Sequence, residues 1–155
     1  MKKAEVLSIL VAVVLLAVAV IAEAQQAKKV YRVGYLSPGT SLDAAPAIEP
    51  FRQGLRALGY IEGQNIVIEW RFSKGDSAQF TGFAAEMVRL KVDCIVTQGI
   101  PAIRAAKQAT NTIPIMMNVS DDPVQMGLIA SLARPGGNIT GFTNIGSELA
   151  GKRLE

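Results

Sequence analysis

Three short segments of this 155-residue sequence place hydrogen-bonding side chains directly after apolar runs: Ser37-Pro38-Gly39, Gln98-Gly99-Ile100-Pro101 and Asn118 through Asp122. Ser37, Gln98 and Asn118 are neutral donors and acceptors, suited to holding a polar solute without reacting with it. Asp122 or Asp121 can meet an ammonium group. Pro101 fits the first position of a helix, whose free N–H groups and positive dipole end attract a carboxylate. Each segment also has a plainer role. Asp122 before Pro123 is a helix cap, Ser37-Pro38-Gly39 is a turn, and Asn118 can satisfy neighbouring backbone. Gln98 is the least routine, because an amide directly after a buried strand must find a partner.

Groups that react are scarce. The sequence has no histidine, which excludes histidine-based catalysis and most zinc sites within it. Cys94 is its one cysteine and lies inside the apolar run Val92–Thr97, so neither a disulfide framework nor a lipid-modified cysteine behind a leader is expected. A packed thiol is the expected state there, rather than a nucleophile. Neither G-x-G-x-x-G nor G-x-x-x-x-G-K-[ST] occurs, so nucleotide phosphates lack their usual cradle. A G-x-S-x-G nucleophile turn is absent too. A phosphoacceptor receiver would need an Asp at the carboxyl end of its third strand, but Asp93 opens that run and Thr97-Gln98 closes it. No catalytic residue, cofactor or metal is expected. The formal charge is +3, and the basic residues are scattered along helices rather than clustered, so no nucleic-acid footprint is expected.

The elements that must hold these segments alternate between strand and helix. Val30–Leu36 reads as a first strand. Ile48, Phe51, Leu55 and Leu58 then recur at helical spacing, ahead of a stop at Gly59. Asn65–Phe72 puts Ile66, Ile68 and Trp70 on one face and Glu69 and Arg71 on the other, as suits a strand near a sheet edge. Asp76 with Gln79 forms an expected capping box ahead of the stripe Phe80, Phe83, Met87 and Leu90. Val92–Thr97 has the apolar, β-branched character of a central parallel strand, and its helix carries Ile103 and Ala106. Ile113–Val119 repeats the pattern. A fourth helix is expected to carry Val124, Leu128, Ile129 and Leu132, ending at Arg134-Pro135-Gly136-Gly137, before a fifth strand at Asn138–Phe142. Ser147 can cap a further helix. Five strands and four intervening helices predict an α/β fold, a doubly wound parallel sheet in the order 2-1-3-4-5. Ligands of such sheets bind beyond the carboxyl ends of the strands, where the three opening segments fall.

The chain starts differently. Lys2 and Lys3 precede the run Val6–Ala22, apolar except for Ser8, and Ala22-Glu23-Ala24 offers small residues for cleavage. This predicts an export signal over residues 1–24 with Gln25 as the mature start; an uncleaved membrane anchor is the alternative. Two Lys and two Glu leave with it, so the charge stays at +3. No linker or internal repeat interrupts the remainder.

The run from Ile113-Pro114-Ile115 through Asp122-Pro123-Val124, followed by Gly127-Leu128-Ile129-Ala130-Ser131-Leu132-Ala133-Arg134-Pro135-Gly136-Gly137-Asn138-Ile139-Thr140-Gly141, closely resembles the ABC transporter substrate-binding family that includes tryptophan- and tyrosine-type binding proteins. Phe51-Arg52-Gln53-Gly54-Leu55, Leu58-Gly59-Tyr60 and Glu62-Gly63-Gln64-Asn65 add to the resemblance, as does Gly151-Lys152-Arg153-Leu154-Glu155. The resemblance implies a type I periplasmic-binding-protein fold, of which residues 25–142 are the first α/β lobe and 143–155 the hinge and start of the second. It implies a monomer in the periplasm or its equivalent that closes on a small solute, an amino acid or organic acid, and delivers it to an ABC permease. The cleft lining it implies maps to Ser37, to Gln98, Gly99 and Ile100, and to Asn118 through Asp122. Gln98 and Ile100 depart from the small or hydroxyl residues of similar sequences, and such a change alters a polar pocket by kilocalories. A membrane-anchored sensor lobe is a second reading, and an α/β enzyme domain a third.

Overall fold

The computed structural model describes residues 29–143. The expected signal over 1–24 and the helix expected from Ser147 lie outside the described residues.

The strands are β1 (Tyr31–Ser37), β2 (Ile66–Phe72), β3 (Cys94–Gln98), β4 (Ile115–Val119) and β5 (Ile139–Thr143). All pair in parallel in the order β2-β1-β3-β4-β5, the order the sequence predicts. Helices α1 (Ser41–Ala57), α2 (Gln79–Arg89) and α3 (Ile100–Ala109) make the first three crossovers. A β-strand alternates its side chains between the two sheet faces, and each face here has its own core. On one face, Leu36, Ile95, Ile115, Met117 and Ile139 pack with Phe80, Ala84 and Met87 of α2 and Ala102, Ile103 and Ala106 of α3. On the other, Tyr35, Ile66 and Ile68 pack beneath Phe51 and Leu55 of α1. Each such large side chain stabilises the fold by about 1.5–3 kcal/mol on burial.

Local chemistry sets the helix boundaries. Thr40 Oγ1 accepts from the Asp43 N–H at 3.2 Å and Asp43 Oδ2 accepts from the Thr40 N–H at 2.8 Å, a reciprocal cap that starts α1. Gly59, at φ 83°, ends it and donates to the Arg56 carbonyl at 2.9 Å. Leu58 was expected on the apolar stripe but is 77% exposed, because the helix closes just before it. The capping box expected of Asp76 and Gln79 does not form: regular helix begins at Gln79 with Ala78 as an N-cap that makes no side-chain bond, while Asp76 Oδ1 accepts from the Ala78 N–H at 3.0 Å and Oδ2 from Gln79 Nε2 at 3.2 Å, because Asp76 lies one turn ahead of the helix start.

The fourth crossover corrects the sequence reading. Among the described residues no helix spans β4 to β5; Pro123–Gly127 form turns instead. The first turn starts as expected, with Asp122 Oδ1 accepting from the N–H groups of Val124 at 2.8 Å and Gln125 at 3.3 Å. Gly127 then adopts φ 66°, which a continuing helix does not allow. Lys107 Nζ donates to the Gly127 carbonyl at 2.8 Å and the Leu128 carbonyl at 3.0 Å, replacing the backbone donors of a helix. Leu128 and Ile129 still join the core, but Leu132 is 53% exposed.

Candidate functional site

Because all five strands are parallel, their carboxyl ends form one edge, where Ser37, Gln98 and Val119 are the last residues of β1, β3 and β4. Leu36 is in register with Thr97, which sets Ser37 beside Gln98, and Gln98 is in register with Asn118. By alternation these three share the sheet face of Tyr35 and Val96. Ser37 is buried at 2% exposure, and its hydroxyl donates to Gln98 Oε1 at 2.9 Å. The Gly99 N–H donates to the Asn118 carbonyl at 3.1 Å. Ser37, Gln98, Gly99 and Asn118 are thus one contiguous group, although Ser37 and Gln98 are 61 positions apart.

Gly99 holds φ 77° and ψ 158° as it turns the chain from β3 into α3, whose first residue is Ile100. Among the described residues no side chain caps this helix start, and Pro101 lies in its first turn, so its leading N–H groups stay without intrahelical partners. Ile100 is half-buried. Asp122 lies three residues past β4, and its Oδ1 is committed to the turn it caps, with the Met126 N–H donating to the Asp122 carbonyl at 3.2 Å. No hydrogen bond among the described residues ties the Asp122 side chain to the Ser37–Gln98–Asn118 group. Thr143 Oγ1 donates to the neighbouring Asp121 carbonyl at 2.8 Å.

Residues not singled out from the sequence adjoin this group. Tyr35, Phe51, Val96, Met116 and Phe142 line a hollow of about 180 Å³ together with Gln98 and Asn118. Period-two counting along each strand carries the signal: Tyr35, Val96 and Met116 have the same parity as Ser37, Gln98 and Asn118. Burial pushes the Tyr35 phenol above its ordinary value, so it stays neutral. Phe142 is 69% exposed at the rim. A larger hollow of about 330 Å³ between α1 and edge strand β2 contains none of the strand-end candidates. The Arg52 guanidinium stands 5.1 Å from the Trp70 ring centre at its wall and donates to Glu62 at 2.9 Å.

An ion pair lies at the opposite, amino end of β3. Asp93, ahead of β3, accepts from Lys29 Nζ at 2.6 Å and the Arg32 N–H at 2.8 Å, which holds its carboxyl below the usual range. Cys94 opens β3, and burial raises its thiol above the ordinary value. Among the described residues no three His, Cys, Asp or Glu gather as a metal site requires. No helix among them is long and apolar enough to cross a membrane.

The family model described as ABC transporter substrate binding protein matches residues 39–155. A tyrosine-binding protein of Clostridioides difficile (strain R20291) is 38% identical over 104 residues, which is 67% of this chain and 30% of that protein. A conserved domain protein from Vibrio cholerae O1 biovar El Tor has a similar structure, with a TM-score of 0.69 at 30% identity over 74% of this chain and 39% of that one. An ABC domain from Streptococcus pneumoniae solved in complex with L-Trp gives a TM-score of 0.68 at 26% identity, again over 74% and 39%. The chain therefore spans 30% of its curated relative's length and 39% of either structure.

Proposed function

The chain belongs to the ABC transporter substrate binding protein family, and from that premise we propose that it forms one α/β lobe of an exported protein that captures a small solute for an ABC importer. The observation that carries this reading is the group at the carboxyl edge: Ser37, Gln98, Gly99 and Asn118 beside the uncapped start of α3. Neutral hydrogen-bonding groups and free helix N–H groups bind a solute and release it unchanged. Relatives named for tyrosine and solved with L-Trp support an amino acid or related organic acid as the solute. Residues 25–142 make up the lobe in this reading, 143–155 lead toward a second, and residues 1–24 direct export. Ile100 and Asp122 complete the proposed wall of the cleft, which closes on the solute by hinge motion. The partners are the solute and a membrane permease, with the protein acting as a monomer outside the cytoplasm.

The test is a thermal-shift screen of the twenty amino acids and small organic acids against the product of the complete reading frame. A solute at one hundred times its dissociation constant adds about 2.7 kcal/mol of stability. Unchanged melting across the whole panel contradicts the reading.

A further inference from the structure

Ser37 and Gln98 form a directional pair. The Ser37 hydroxyl is buried at 2% exposure, and its one side-chain hydrogen bond among the described residues goes to Gln98 Oε1 at 2.9 Å. A hydroxyl can donate or accept, and an amide can turn over, so two arrangements fit that distance. Burial decides between them. If Ser37 accepted from Gln98 Nε2, its own proton would be buried without an acceptor among the described residues, at a cost of about 1–3 kcal/mol. The proton therefore goes to Oε1, and the amide turns its two N–H groups the other way. Among the described residues Gln98 Nε2 has no partner, whereas no buried side-chain polar atom is left unpaired. The pair is anchored on both sides: the Ser73 N–H donates to the Ser37 carbonyl at 3.0 Å, and the Gly99 N–H to the Asn118 carbonyl at 3.1 Å.

We propose that Ser37 is a positioning residue that acts on the solute through Gln98: its hydroxyl fixes the Gln98 amide so that this side chain turns its two donors outward at the end of β3. The solute atom read there is then an acceptor, and a carboxylate oxygen, whose charge strengthens the bonds from both N–H groups, is preferred over an amide end that brings its own N–H. This inference rests on the solute-binding reading above and gives its site a direction. Hydrogen-bonding sites discriminate strongly against the wrong partner, because a mismatch leaves buried polar groups unpaired.

Titration calorimetry on the product of the complete reading frame tests it, with L-tyrosine, L-tryptophan and their carboxamides as probes. Wild type is expected to prefer the free acids. Ser37→Ala, with the amide free to turn, should reduce that preference by about tenfold, and Ser37→Thr should restore it. Gln98→Glu retains an acceptor for Ser37 but turns a carboxylate oxygen outward, so the preference should invert toward the carboxamides. Melting temperatures of all variants separate misfolding from lost selectivity. A folded Ser37→Ala protein with the wild-type ratio, or a Gln98→Glu protein that still favours the acids, overturns the inference and leaves the solute-binding reading standing. Failure of wild type to bind any of the four probes overturns the inference too, and the thermal-shift panel then decides the broader reading on its own.

Discussion

Asp122 and Cys94 show how burial and hydrogen bonding assign residue roles. Asp122 spends one carboxylate oxygen on the N–H groups of Val124 and Gln125. Asp122→Ala should therefore cost about 1 kcal/mol of stability, and Asp122→Asn almost none, as read by urea unfolding. The same variants report on solute binding: affinity lost by Asp122→Ala beyond its stability change places the other oxygen in the cleft, and equal affinity makes Asp122 a cap alone. Cys94 is partly buried at the start of β3, and burial raises its thiol. Since the thiolate is the reactive form, iodoacetamide at pH 8 should modify the folded protein slowly and the urea-unfolded protein fast. Comparable rates in both states would contradict the packed position.

Glycine contrasts on two strands give predictions at the scale of elements. Gly141 lies opposite Met117 on β5 at φ 145°, where an added Cβ would run into the Met117 carbonyl oxygen and meet its nitrogen at 2.7 Å. Backbone cannot step aside as a side chain can, so Gly141→Ala should destabilise by about 3 kcal/mol or more and loosen β5. Gly34 on β1 faces a movable neighbour: its added Cβ would run into the Met87 sulfur. Gly34→Ala should cost less, about 1–3 kcal/mol, since methionine adopts other rotamers. Chemical denaturation of both variants checks the order, and a larger loss at Gly34 would reverse the argument. The missing fourth helix belongs to this scale as well. Val124, Leu128 and Ile129 have helical spacing, and the core does take Leu128 and Ile129. What spacing cannot reveal is that Gly127 turns left-handed while Lys107, twenty positions earlier, supplies the carbonyls with donors.

Among the described residues, ion pairs contribute to the response to acid. Hydrogen bonding to Arg71 lowers the Glu86 carboxyl, and hydrogen bonding to Lys29 and to the Arg32 N–H lowers that of Asp93. A carboxyl whose folded value lies below its unfolded value adds stability that is complete above the unfolded value, about 4, and lost as pH falls through the folded one. Melting temperature should thus hold through neutral pH and drop below about pH 4. Arg71→Gln should flatten part of that acid limb, and an unchanged limb would exclude Glu86 from it. The sequence by itself determined the alternation of strands and helices, the edge position of β2, the parallel order and the segments that fall at the strand ends. Those features depend on apolar period, glycine and proline placement and parallel crossover rules, all written within short stretches of chain. Only the tertiary structure decided that Ser37 bonds Gln98 across 61 positions, that Tyr35, Met116 and Phe142 adjoin them, and that the β4–β5 crossover runs as turns. Such pairings depend on register between distant segments and on which buried proton lacks any other acceptor, and neither is fixed until the sheet is assembled.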